Sequence, residues 1–267
     1  MPELPEVESI KRSLSPNIVG QKLNNYKIYD HRTNRYNAKK PRIDEFLLAI
    51  SRKGKLLIFD FEQYSIIFHL GMSGRIQVND KKNKHTRARF YFDKDTVNFD
   101  DIRRFGFINI IKTGLKDNYL NRIGPDVLDI SIKQTLIIIE ISKKSKSSIK
   151  DFILNQKYMS GIGNIYANEI LFASKIHPET KVNTLNSNNW KDFFNNTKRI
   201  MRLAIKNNGT TLSDMTYFLP YGEFGSNQKF LKIYSKTNCF NCENIIDKIY
   251  INQRATYFCR KCQKLKN

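Results

Sequence analysis

Cys239-Phe240-Asn241-Cys242, sixteen intervening residues, then Cys259-Arg260-Lys261-Cys262: this stretch decides how the C-terminal end of the chain folds. It holds all four cysteines of the sequence. Two C-x2-C knuckles at this spacing present four thiolates tetrahedrally, the ligand set of a structural zinc ion. A disulfide reading is weaker, because the N-terminus is acidic where a secretory signal is basic and then apolar, and disulfides persist poorly in the cytosol. A redox C-x-x-C pair belongs beside a βαβ unit, and no such pattern accompanies these cysteines. Four thiolates leave no open coordination position, so one structural Zn2+ is expected rather than a catalytic one. Between the knuckles, Ile246 to Phe258 reads as two short strands around Asn252-Gln253-Arg254. The segment is therefore a metal-stapled β-hairpin with Arg254 near its tip.

Outward from that hairpin, the composition sets the class of protein. The 267 residues correspond to roughly two domains. Lysine and arginine number 46 against 25 acidic residues, a formal charge of 46 − 25 = +21. This excess points to a polyanionic partner, with nucleic acid foremost. With 40% hydrophobic and 12% aromatic residues the chain can bury a sizeable core, which excludes wholesale disorder. The longest apolar runs, such as Leu136–Ile139 and Ser65–Leu70, fall far short of the ~20 residues that cross a bilayer. A soluble, cytoplasmic protein is expected, with no membrane partner.

Along the chain, Leu4, Val7, Ile10 and Leu14 recur at helical spacing and predict a helix over 3–14. Residues 24 to about 112 read as strands: Leu56, Ile58 and Asp60 oppose Leu57, Phe59 and Phe61, and Ala88, Phe90 and Phe92 alternate with Arg87, Arg89 and Tyr91. Turns such as Gly71-Met72-Ser73-Gly74 separate them. Helical segments follow near 133–141, 148–156, 165–174 and 188–207. The expected organisation is α+β: an N-terminal β-sandwich led by an α-helix (1–112), a linker (113–131), a helical domain (132–235) and the zinc hairpin (236–267). Lys143-Lys144-Ser145-Lys146 reads as a solvated basic face.

The N-terminus has chemistry of its own. Pro2 is a small penultimate residue, so removal of Met1 is expected, leaving a secondary amine at the terminus. Attack of that amine on a sugar aldehyde carbon gives a cationic iminium, an electron sink that permits elimination of neighbouring phosphates. A terminal amine starts from a pKa of about 7.7–8.0, below lysine, and the positive end of a following helix lowers it further. Glu3 adjoins it and Glu6 lies one turn on, so a nucleophile sits beside a potential proton donor. Proline and acidic residues in a first helical turn are also ordinary capping chemistry, and these residues alone leave both readings open.

Pro2-Glu3-Leu4-Pro5-Glu6-Val7-Glu8 resembles the N-terminal signature of the formamidopyrimidine-DNA glycosylases, bacterial base-excision-repair enzymes. Further blocks resemble that family in the same order: Ser51-Arg52-Lys53-Gly54-Lys55, His69-Leu70-Gly71-Met72-Ser73-Gly74, Arg103-Arg104-Phe105-Gly106, Gly161-Ile162-Gly163-Asn164-Ile165-Tyr166-Ala167-Asn168-Glu169, and Gln253-Arg254-Ala255-Thr256 before Cys259. The resemblance implies a monomeric, nucleoid-associated enzyme on double-stranded DNA carrying an oxidised base or abasic site. Pro2 would be the Schiff-base nucleophile, Glu3 the acid at the opening sugar ring and Glu6 its support. Lys55 and Arg254 would complete the catalytic set at the phosphates. Met72, Arg103 and Phe105 match the trio that fills the hole left by an everted base, and their types suit a flexible wedge, a hydrogen-bonding cation and a stacking ring. His85, Lys157 and Asn164 match DNA-contacting positions, Asn164 at a helix start within the helix–two-turn–helix element. Leu219–Gly225 aligns loosely with the loop over the flipped base. Ile102 stands where the family usually has proline, and Gly124-Pro125-Asp126-Val127 lacks a second proline. An endonuclease VIII-like enzyme usually has glycine in place of Leu4. A zinc-dependent nucleic-acid binder without catalysis would fit the charge and cysteines, but has no need of a reactive terminus.

Overall fold

Helix α1 (Leu4–Ile18) opens the chain in this computed structural model, which describes residues 2–35, 41–213 and 215–265. Leu4, Val7, Ile10, Leu14 and Ile18 form its buried stripe. The helix runs one turn past the predicted 3–14 and carries Pro16 near its end. There the ring removes a single intrahelical bond, while Ile18 prolongs the apolar face.

Nine strands follow among the described residues: β1 (Lys22–Ile28), β2 (Glu45–Phe46), β3 (Ala49–Lys53), β4 (Leu56–Asp60), β5 (Tyr64–His69), β6 (Gly74–Val78), β7 (Thr86–Phe92), β8 (Thr96–Asp101) and β9 (Phe107–Lys112). They form a five-stranded sheet in the order β2-β1-β7-β8-β6 and a four-stranded sheet in the order β3-β4-β5-β9. Rings from the two sheets meet, Phe68 with Phe90 at 5.4 Å and Phe59 with Phe92 at 6.4 Å between centroids. The two layers share one core with α1, as a sandwich requires.

Leu56 and Ile58 on one face of β4 are as apolar as Leu57 and Phe59 on the other, and the whole strand is buried. The chain that follows β9 reaches the last residue of this strand. Lys116, at the start of α2 (Lys116–Leu120), donates to Asp60 at 3.0 Å, and Lys53 donates to the carbonyl of Leu120 at 2.9 Å. Ser51 and Ser65 also donate to the Asp60 carboxylate, at 2.6 and 2.9 Å. The segment expected as a linker over 113–131 is therefore packed at both ends. Beyond Arg122, Gly124 donates to Gln156 O and Ser160 donates to Pro125 O, both at 2.8 Å.

The chain divides into two compact units, one running through Arg122 and including Ala204–Gln228, the other holding Ile123–Leu203 and the chain from Lys229 onward. The predicted helical segment 132–235 is thus shared between them. Tyr217 and Leu219 are buried in the core of the first unit with Val7 and Phe99, a partnership that loop-like composition around them conceals. The second unit contains α3 (Ile132–Lys143), α4 (Ile149–Leu154), α5 (Asn164–Ala173), α6 (Ser187–Lys206, whose last turn returns the chain to the first unit) and the hairpin β10 (Asp247–Ile251) and β11 (Arg254–Phe258). Ser131 and Gln134 form a reciprocal capping box at α3, and Ser148 caps α4. No helix among the described residues is long and apolar enough to cross a membrane.

Candidate active site

Pro2, Glu3 and Glu6 lie together at the N-terminal end of α1, all buried, the two glutamates at 1% and 2% exposure. Glu6 Oε2 accepts the Glu3 N–H at 2.8 Å, and Glu6 Oε1 accepts the Thr210 N–H at 2.8 Å. Both carboxylate oxygens are thus fixed by backbone donors at the positive end of a helix dipole. The predicted nucleophile and carboxylates are gathered as the sequence suggests. Met1, whose removal would free the amine, lies outside the described residues.

The second half of that clamp has no signature in the sequence. Gly209 has φ +78, and a Cβ there would come within 3.0 Å of Glu6 Oε1 and of the Tyr217 ring. The Tyr217 hydroxyl donates to Asn208 O at 2.8 Å. Burial, reinforced by the Glu6 charge, holds this phenol well above its usual pKa, so it stays protonated. The lone glycine in a loop was the one available hint.

Lys55 follows Gly54 in the tight turn between β3 and β4. Arg52 joins this turn to α1: its Nη1 donates to Gly54 O at 2.9 Å and its Nε to Glu8 at 3.0 Å. Glu8 also accepts from Arg12 at 2.9 Å. Burial alone would raise the Glu8 pKa, but the two guanidinium bonds outweigh it and hold the carboxyl below its usual range. Across the hairpin, His69 stacks on Phe107 at 5.1 Å, and the Arg35 guanidinium lies 3.8 Å from the Phe107 ring centre. Burial, then the charges of Lys55 and Arg35, bring the His69 pKa down to about 4. A neutral His69 accepts the Gly71 N–H on Nδ1 at 3.2 Å, at the root of the Met72 turn.

Asp101 organises the DNA-contact candidates of this unit. Its carboxylate accepts from Ser73 Oγ at 2.6 Å, Arg103 N at 3.2 Å and Gly106 N at 2.7 Å, and its N–H donates to His85 O at 2.9 Å. One fully buried aspartate thus binds the turns that carry Met72, His85, Arg103 and Phe105. Gly71 fits only as glycine, since a Cβ there would sit 2.5 Å from Gly106 N. Met72 and Phe105 are exposed, at 38% and 54%, with the Arg103 guanidinium 5.1 Å from the Phe105 ring. Apolar side chains held in the open on locked turns suit insertion between bases. Ile102 is also exposed, so the family's proline is not needed for packing.

In the second unit, Arg254 is exposed at the first position of β11, after a turn with Asn252 at φ 45 and Gln253 at φ 61. Asn252 donates to Asp151 at 2.8 Å and anchors the tip. Asn164 donates to Ala255 O at 3.0 Å, while its carbonyl oxygen is buried with no hydrogen-bond partner among the described residues. Lys157 is exposed in the turn that follows α4. Lys150, absent from the sequence-derived candidates, is fully buried and donates to Ala255 O at 3.1 Å and Thr256 Oγ1 at 2.6 Å. Nothing in Ser148-Ile149-Lys150-Asp151 distinguishes it from a surface lysine. Asn168 completes the dock by accepting Tyr257 N–H at 2.7 Å.

The four cysteines are free thiols whose Sγ atoms all lie within 4.8 Å of one another. Neighbouring separations of 3.5, 3.6 and 3.7 Å compare with the ~3.8 Å edge of a tetrahedron having 2.3 Å metal–sulfur bonds. Burial and three adjacent thiols push Cys262 up to about 12, whereas the Asn244 N–H helps bring Cys242 down to about 7. A bound cation is what lets four such sulfurs ionise together, and the cluster fits a metal ion.

The profile of the formamidopyrimidine-DNA glycosylase N-terminal domain matches residues 1–108, and that of the formamidopyrimidine-DNA glycosylase H2TH domain matches residues 123–216. The chain belongs to the formamidopyrimidine-DNA glycosylase family. Formamidopyrimidine-DNA glycosylases are DNA glycosylases of base excision repair. That of Listeria monocytogenes serotype 4b (strain F2365) is 35% identical over 280 residues, covering 99% of this chain and 100% of the relative. That of Ruthia magnifica is 36% identical over 274 residues, covering 98% and 100%. Among solved structures, the Lactococcus lactis Fpg in complex with an abasic site containing DNA is 31% identical, with a TM-score of 0.89 over 98% of this chain and 100% of that one. The wild-type Lactococcus lactis Fpg with an N7-benzyl-Fapy-dG containing DNA has the same TM-score and coverage at 32% identity.

Proposed function

We propose that the protein is a bifunctional DNA glycosylase and abasic-site lyase that removes oxidised purines from duplex DNA. The observation that carries this reading is the buried Pro2-Glu3-Glu6 set, with Glu6 held at both oxygens by backbone N–H groups. A carboxylate so constrained positions its neighbours without competing for the proton that Glu3 must deliver. The Pro2 nitrogen attacks C1′, and the bond from C1′ to the base breaks with its electron pair leaving on the base, which takes up the proton that the Pro2 nitrogen gives up. Glu3 protonates the ring oxygen as the sugar opens, giving an iminium between Pro2 and C1′. Loss of the C2′ proton then expels the 3′ phosphate, a second elimination expels the 5′ phosphate, and hydrolysis frees Pro2. Lys55 and Arg254 supply cations to the flanking phosphates. Met72, Arg103 and Phe105 fill the gap in the stack, with His85, Lys157 and Asn164 contributing further DNA contacts. Cys239, Cys242, Cys259 and Cys262 would hold one zinc ion, whose closed four-sulfur shell supplies structure rather than chemistry. The enzyme acts as a cytoplasmic monomer.

Borohydride trapping on a duplex with 8-oxoguanine opposite cytosine, followed by mass spectrometry of the cross-linked peptide, tests this reading. The expected adduct is on the Pro2 amine. An adduct on a lysine would move the nucleophile, and no adduct on this duplex or on an abasic one would leave a DNA binder. Faster excision of thymine glycol than of 8-oxoguanine would favour the endonuclease VIII-like alternative.

A further inference from the structure

Strand β6 is an edge of the five-stranded sheet, and among the described residues no strand pairs with its outer side. The segment after the Glu6 clamp lies along that side instead. Val78 N–H donates to Pro220 O at 3.1 Å. Arg75 donates from Nε to Thr216 O and from Nη2 to Met215 O, both at 3.0 Å, and its guanidinium lies 4.5 Å from the centre of the Phe218 ring. Phe218 in turn meets Phe224 edge-on at 6.2 Å, and Asn17 donates to the Tyr221 hydroxyl at 3.0 Å. One arginine therefore uses its planar fork on two carbonyls and its face on a ring, a combination lysine cannot reproduce.

The two ends of this contact matter. Arg75 stands three residues after Met72, on the strand that begins where the wedge turn ends. The segment it grips starts at Gly209-Thr210, which fixes Glu6, and is closed by Thr211, whose hydroxyl donates to Tyr217 O and accepts from Gly225 N. Its outer side chains Met215, Tyr221 and Phe224 are exposed, at 53%, 41% and 51%. Apolar and aromatic groups presented on a segment whose start is anchored to the Glu6 carboxylate suit the face of a purine.

We propose that Arg75 is a positioning residue for lesion recognition, coupling the Met72 turn to the Met215–Phe224 loop so that the loop engages an everted base. This rests on the glycosylase reading above. An abasic site offers no base to that loop, so the coupling matters for excision and little for strand cleavage at an abasic site.

The test uses the full-length chain with Arg75→Lys, Arg75→Ala and Phe218→Ala. Single-turnover rates are measured on an 8-oxoguanine duplex and on an abasic-site duplex, with hydrogen exchange of residues 215–222 in the free protein. Excision is expected to fall by about ten- to a hundredfold in the arginine variants, while abasic cleavage changes by no more than about twofold. Exchange of the loop is expected to quicken, and Arg75→Ala combined with Phe218→Ala to lose little beyond either alone. A parallel fall on both substrates, or unchanged excision, overturns the proposal. Unchanged loop exchange overturns it as well, whatever the wild-type activity, whereas a wild type inert on both duplexes refutes the glycosylase reading separately.

Discussion

Each unit of this protein uses a buried glutamate on a helix to catch a distant piece of chain by its backbone N–H groups. In the first unit, Glu6 of α1 takes Glu3 N–H and Thr210 N–H. In the second, Glu169 of α5 takes Lys232, Ile233 and Tyr234 N–H at 2.9, 3.0 and 2.8 Å. Burial outweighs those three bonds and keeps the Glu169 carboxyl above its usual pKa. The difference lies in what each captured segment leans on. Residues around Thr210 rejoin a large apolar core shared by two sheets and α1. Residues after Tyr234 lead into a hairpin whose own apolar cluster is Phe172, Ile233, Ile246 and two cysteines. The same device thus braces the proposed active site where a large core already supplies stability, and serves assembly where the apolar cluster is small and four sulfurs gather.

Stripping the zinc proposed for the four-cysteine cluster is the strongest way to break this comparison. A structural zinc site contributes on the order of 10 kcal/mol to folding, far more than Glu169, Lys150 and Asn168 can replace. Chelation is expected to make Asp247–Phe258 exchange rapidly with solvent while β4 and β5 stay protected. A hairpin that stays protected without metal would mean that the polar dock suffices. A smaller effect separates the units by pH. The folded His69 has its pKa lowered to about 4 from an ordinary 6.5. Between those values the unfolded chain takes up a proton that the folded one refuses, so stability present above pH 6.5 is lost as pH falls to 4. The full window corresponds to about 3 kcal/mol. A melting temperature followed across it should slope less steeply in His69→Gln than in the wild type. The smallest effect sharpens the glutamate pair itself. Glu6→Gln and Glu169→Gln each turn an acceptor oxygen into an amide facing N–H donors, at a cost of about 2 kcal/mol. Both should lower the melting temperature, but only Glu6→Gln should slow iminium trapping at Pro2. Equal slowing in the two variants would erase the distinction.

Much of this molecule is legible without coordinates because its signals are local. The stripe from Leu4 to Leu14 and the alternation of β7 each repeat within a few residues, so period alone gives the element, though not the last turn of α1. The cysteine spacing carries its own chemistry, and the sulfurs meet as that spacing requires. Pro2, Glu3 and Glu6 are close in sequence at the start of α1 and needed no tertiary partner to be gathered. The folded chain alone decided the rest. Thr210 reaches Glu6 across 204 residues, Asp101 ties turns some thirty residues apart, and Lys150 reaches Thr256 across 106. None of these partners has a periodic or compositional mark, because a hydrogen bond between distant residues constrains geometry without constraining pattern. The residue types proposed to do the chemistry were thus set by sequence. The backbone donors and buried charges that hold them in place came into being only with the packing.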